Sequence, residues 1–307
     1  MNGEKSLVFE GAGVARRNKR YIAWFYLLNL VFAWWGAAGF STHAHGVLDH
    51  SLLSDKLLHG FDVAVLFEMF TRPEFGPIRS STAPSMVFVI LFLLASLLFM
   101  PGVLLGYSSD HRISRPEFFR ACGRNMWRFV RLALFFLVIA GIVCGILYAI
   151  QNALVTAADK TSYERLPFFT KMVGLTVIFL VLTAIRIWFD LAQTEVVLED
   201  QGAVRKSVRR AWRTTWRHFG RLLGTYVVIA LAALAILAAG ILLWNMIVPP
   251  SSVFGAFLVS QAILLLLLAM RFWQRAVAVA FFVRQALPSE IESAPVVAMA
   301  SASPQQI

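Results

Sequence analysis

The residues best suited to chemistry gather in one stretch, 41–85. It holds His43, His45, His50 and His59 together with Asp49, Asp55 and Asp62. Imidazole and carboxylate suit Zn²⁺, Cu²⁺ or iron. On an extended chain His43 and His45, two apart, share a face. Asp55 and His59, four apart, are neighbours on a helix that Ser54 would cap. No H-E-x-x-H spacing accompanies them. The competing reading is a solvated loop with an amphipathic helix, whose Leu52, Leu53, Leu57, Leu58 and Phe61 rest on the bilayer. Because histidine titrates near neutrality, the cluster is also a candidate pH-responsive group. Cys122 and Cys144 belong to no C-x-x-C pair, and no Walker-type phosphate loop is present. The chain is expected to be non-enzymatic, with no cofactor.

A second set of candidates consists of charges in or beside apolar segments. Ionisable groups in a membrane are functional candidates by default. Arg186 has Asp190 one helical turn on, and Arg271 follows an apolar run. Both arginines are expected at an interface, where long side chains snorkel to water. The third set is two arginine arrays, Arg120, Arg124 and Arg128, and then Arg209, Arg213 and Arg217. In 203–220 the residues Val204, Val208, Ala211, Trp212, Thr215, Trp216 and Phe219 recur every three or four positions, with arginines on the opposite face. Such a helix lies on a bilayer with its arginines toward anionic headgroups. Each basic side chain there contributes about 1 kcal/mol of attraction. The arrays are candidate sites for lipid or an acidic partner; the plainer reading is that they orient the spans.

The elements that position these residues are membrane helices. The chain has 307 residues, 59% hydrophobic and 15% charged. A soluble domain carries roughly a quarter charged residues, so this deficit points to the bilayer. Apolar runs at 21–40, 86–107, 132–150, 172–191, 222–248 and 253–270 are each near the length needed to cross. Backbone groups in hydrocarbon must pair within the segment, which makes them helices. The net charge of +11 flanks these runs, so anionic lipid, not nucleic acid, is the expected partner.

Basic residues alternate between the connections. Arg16, Arg17, Lys19 and Arg20 precede the first run, Arg112 to Arg131 the third, and Arg205 to Arg221 the fifth. Loops with this excess face the cytoplasm, which puts both termini inside and 41–85 outside, in a bacterial inner membrane. A cleavable leader over 1–39 is the alternative, set against an apolar core longer than leaders use.

The chain also repeats. Phe119–Arg128 aligns without gaps on Val208–Arg217, matching Arg120, Arg124, Trp127 and Arg128 to Arg209, Arg213, Trp216 and Arg217. Arg186-Ile187-Trp188 recurs as Arg271-Phe272-Trp273. The unit is a basic helix, an outward span and a return span, near 115–200 and 204–285, with a fainter copy announced by Arg16 and Arg20. The expectation is an all-α membrane protein over 1–285, six transmembrane helices in a bundle of repeated hairpins, each preceded by a basic interfacial helix, and a disordered cytoplasmic tail over 286–307. Gly102-x-x-x-Gly106, Gly141-x-x-x-Gly145 and Gly220-x-x-x-Gly224 have the spacing for close helix packing. A homo-oligomer is compatible with them.

At Val196-Val197-Leu198-Glu199-Asp200, Gly202 and the helix 204–217 the chain resembles uncharacterised bacterial six-span membrane proteins and the membrane domain found ahead of glycerophosphodiester phosphodiesterases. The resemblance covers 180–240. It implies a membrane domain of unknown role; no stretch between the apolar runs exceeds the 45 residues of 41–85, which leaves no room for the catalytic barrel. The expected role is a lipid-facing scaffold or membrane module. A small-solute transporter or channel is the alternative, and a metal-dependent enzyme using the histidine loop the second.

Overall fold

The computed structural model describes residues 6–48, 78–109, 111–161, 163, 165–199, 204–249 and 252–293. Those residues are helical, with short connections. The helices are α1 (Leu7–Arg17), α2 (Lys19–Leu48), α3 (Ile78–Ser108), α4 (Arg115–Asp159), α5 (Leu166–Leu198), α6 (Val204–Arg217), α7 (Phe219–Ile247) and α8 (Val253–Ser293). Six of them, α2 to α5, α7 and α8, are long and apolar enough to cross a membrane. Their outer surfaces fit that solvent. On α4 alone, Leu134, Leu137, Val138, Ile142 and Ile146 are all exposed, an apolar expanse that water would not tolerate.

Helix ends follow local chemistry. Ser114 caps α4, its hydroxyl accepting from the Glu117 amide at 3.4 Å, with Pro116 in the first turn where no amide is needed. The Ser252 hydroxyl accepts from the Gly255 amide at the start of α8. Helix α7 stops ahead of Pro249-Pro250, which cannot continue a hydrogen-bonded helix. Single-residue breaks at Asn18 and His218 separate α1 from α2 and α6 from α7.

Two expectations change here. The basic segment before the third span is not a separate helix. Arg115–Asp159 is one helix of 45 residues, about 68 Å at 1.5 Å per residue, more than twice the ~30 Å of hydrocarbon. No proline follows Pro116 before the apolar run, and the single Gly123 does not break the helix. The tail expected to be disordered from 286 is helical to Ser293.

The chain divides into two compact units. One holds Met1–Arg17, Pro101–Val228 and Trp273–Ile307, the other Asn18–Met100 and Ile229–Phe272. In the second, the Tyr26 hydroxyl donates to Gln261 Oε1 at 3.1 Å and the Ser85 hydroxyl to the Gly36 carbonyl at 2.6 Å. Phe25 meets Phe272 edge-on at 5.0 Å. In the first, the Trp188 indole donates to the Val208 carbonyl at 3.0 Å and the Trp273 indole to the Val8 carbonyl at 2.8 Å. The two tryptophans aligned on sequence thus each hold a short helix, α6 and α1 respectively. Gly102 lies where α3 meets α4; a Cβ there would stand 2.5 Å from the Phe118 ring. The other glycine spacings do not pack internally: a Cβ on Gly141, Gly145, Gly220 or Gly224 would meet nothing within 4 Å.

Candidate functional site

An apolar crevice of about 1230 Å³ opens between α4, α5, α6 and the start of α7. Helix α4 supplies Phe135, Ile139 and Val143, and α5 supplies Leu180, Ala184 and Trp188. Helix α6 adds Val208, Trp212 and Trp216. An aromatic ladder builds this wall. Trp188 meets Phe136 at 4.7 Å and Trp212 at 4.8 Å, Trp212 meets Trp216 at 5.3 Å, and Trp216 stacks on Phe219 at 5.1 Å. Rings in these edge and offset arrangements add stability beyond their buried area.

Three arginines, Arg131, Arg205 and Arg209, also line the crevice, and no acidic residue does. All three are exposed. Arg131 lies over the Trp127 ring at 5.5 Å, a cation–π contact that directs a guanidinium without neutralising it. Arg131 is also the last charge before the apolar run of α4. Arg205 and Arg209 sit one turn apart on α6, in line with Trp212 and Trp216.

Helix α6 presents these side chains because its other faces are committed. Ser207, Val208, Ala211 and Thr215 are buried at helical spacing, and the Thr215 hydroxyl is satisfied by the Ala211 carbonyl at 2.8 Å. Arg210 turns the other way. Its Nε is 3.3 Å from Glu195 Oε1, and its guanidinium also pairs with Glu199. Glu195 and Glu199 form an acidic strip at the end of α5 that anchors α6 to it. Glu195 is only 2% exposed, a burial that a carboxylate tolerates when paired.

The sequence candidates distribute as follows. Arg209 lines the crevice. Arg120, Arg124, Arg213 and Arg217 are exposed, and Arg128 is partly buried, donating to Asn125 Oδ1 at 3.3 Å. The i, i+4 pair of Arg186 and Asp190 is present but loose, at 3.8 Å. The closer partner of buried Asp190 is Tyr226, whose hydroxyl donates to Oδ2 at 3.0 Å. Arg271 is exposed at its place on α8. His43 and His45 fall in α2 rather than on an extended chain, so the extended-chain geometry expected of them does not apply. His50 and His59 lie outside the described residues. Among the described residues no three His, Cys, Asp or Glu gather as a metal-binding set.

Sequence reasoning passed over Arg131, Arg205, Arg210, Glu195 and Tyr226. A signal existed for one of them, Arg205. Arg205, Arg209, Trp212 and Trp216 form one i, i+4, i+7, i+11 stripe. No family model matches the chain, and no curated protein and no solved structure is significantly similar to it.

Proposed function

We propose that this protein is a non-enzymatic membrane module that meets anionic lipid with an arginine-rich surface on the cytoplasmic side of a bacterial inner membrane. The observation that carries the reading is that most of the basic segments share one compact unit, with Lys19 and Arg20 in the other. Arg16 and Arg17, Arg120 to Arg131, Arg205 to Arg221 and Arg284 all belong to it. A unit so charged is most stable against anionic headgroups and on the side where basic loops are retained. Under this reading both termini take the cytoplasmic side. The resemblance around 196–217 to membrane domains found ahead of phosphodiesterases accords with a module of this kind.

The test is stability in nanodiscs of defined lipid. Phosphatidylglycerol is expected to raise the unfolding temperature over phosphatidylcholine alone. The gain should shrink between about 0.1 M and about 1 M salt, as the screening length falls from about 10 Å to about 3 Å. Equal stability in both lipids, or a gain indifferent to salt, overturns the reading.

A further inference from the structure

We infer that the crevice between α4, α5 and α6 is a discrete site for one anionic glycerophospholipid, its phosphate held by Arg131, Arg205 and Arg209 and an acyl chain laid along the aromatic wall. This rests on the lipid-facing reading above and names the lipid class and the place.

Three observations favour this occupant. The first is charge. Three guanidiniums border the crevice with no acidic residue in its lining, and among the described residues none of the three forms an ion pair. Guanidinium is the side chain best matched to phosphate oxygens, which it can grip with two parallel N–H donors. The second is length. Arg131 and Val143, twelve residues apart on one helix, are about 18 Å apart along it. One leaflet of a ~30 Å hydrocarbon core is about 15 Å deep. The Arg131 and Val143 ends of the α4 wall are therefore separated by about the distance between a headgroup and the end of its chain. The third is shape. A smooth lipid-facing helix surface gives an annular lipid nothing to distinguish one position from the next. This crevice, at about 1230 Å³, exceeds the ~300–1,000 Å³ of ordinary small-molecule clefts. It is walled by three tryptophans, Trp188, Trp212 and Trp216, whose large rigid faces suit an alkyl chain.

The arginines have different tasks. Arg131 stands where α4 enters hydrocarbon and is fixed by Trp127. Arg205 and Arg209 are on α6, a helix tied down by the Trp188 indole and by Arg210 on Glu195 and Glu199. A phosphate between them would bridge α4 and α6, so lipid binding is expected to hold α6 in place.

The experiment uses the full chain purified in mild detergent and titrated with phosphatidylglycerol or phosphatidylcholine, with bound lipid counted by native mass spectrometry. One phosphatidylglycerol per chain is expected to survive at lipid levels where phosphatidylcholine does not. An Arg131→Gln, Arg205→Gln, Arg209→Gln variant should lower its retention at least tenfold. Ile139→Trp, which fills the apolar end and leaves every arginine intact, should do the same. An Arg120→Gln, Arg124→Gln, Arg213→Gln, Arg217→Gln variant should retain the lipid while losing part of the salt-sensitive stabilisation in nanodiscs. Retention unaffected by Ile139→Trp, or equal for the two lipids, overturns the site. A crevice occupied by a second copy, seen as a dimer that Ile139→Trp makes monomeric, also overturns it. In these cases the wider reading stands if the nanodisc stabilisation persists, and falls only if that is lost too.

Discussion

Asp190 shows what a single side chain costs and returns in this protein. It is 4% exposed and would be expensive without partners. The Tyr226 hydroxyl, itself fully buried, supplies the short bond, and Arg186 the more distant charge. Tyr226→Phe removes that donor and leaves a buried oxygen short of a partner, a loss of about 1–3 kcal/mol. Thermal unfolding in detergent should register it, whereas Tyr148→Phe, at a side chain 67% exposed, should leave the midpoint unmoved. Glycine positions differ in the same way. Gly102→Ala drives a methyl into the Phe118 ring, and forced overpacking costs about 1–3 kcal/mol. Gly141→Ala meets open space and should be tolerated in the same assay. The Asp190–Arg186 spacing was legible in sequence because both lie on one helix. Tyr226 was not, because nothing local to it points toward a helix 36 residues away.

At the scale of the element, α6 is the informative case. Its buried stripe, Ser207, Val208, Ala211 and Thr215, is legible as a period of three to four. Which charged side it turns toward its own chain was not, since a pattern sets Arg209 on the tryptophan stripe but does not show what faces Arg210. The decision comes from Glu195 and Glu199 on α5, which claim Arg210 and leave Arg209 to the crevice. Arg210→Gln strands the buried Glu195 carboxylate, so amide exchange across 204–217 should accelerate at least several-fold. Arg213→Gln, at an exposed position, should change exchange little, as surface substitutions stay within about 0.5 kcal/mol. Equal effects of the two would mean that the acidic strip does not anchor the helix.

For the molecule as a whole, the expected topology is open to direct measurement. In a background with Cys122 and Cys144 replaced, single cysteines at positions 120 and 213 should be labelled by a membrane-impermeant maleimide from the same side, the cytoplasmic one. Both positions are exposed and belong to one compact unit. Labelling from opposite sides, or from outside, would exclude the orientation by basic residues. The native Cys144, exposed on the apolar stretch of α4, should stay unlabelled in the bilayer and react once the protein is denatured, because a membrane-impermeant reagent does not enter hydrocarbon.

Composition and order along the chain alone determined that this is an all-helical protein with six segments able to cross a bilayer. They did so because hydrocarbon leaves a backbone few ways to pair its own polar groups, so run length is enough. They also located the arginine arrays and the short helix at 204–217, since amphipathic spacing is a local property. Tertiary structure decided what arginines of identical type do. Arg210 is drawn inward by two glutamates, Arg128 leans on Asn125, and Arg131, Arg205 and Arg209 border an apolar crevice. Those outcomes depend on which side chains meet across helices distant in sequence, where geometry rather than periodicity selects the partner.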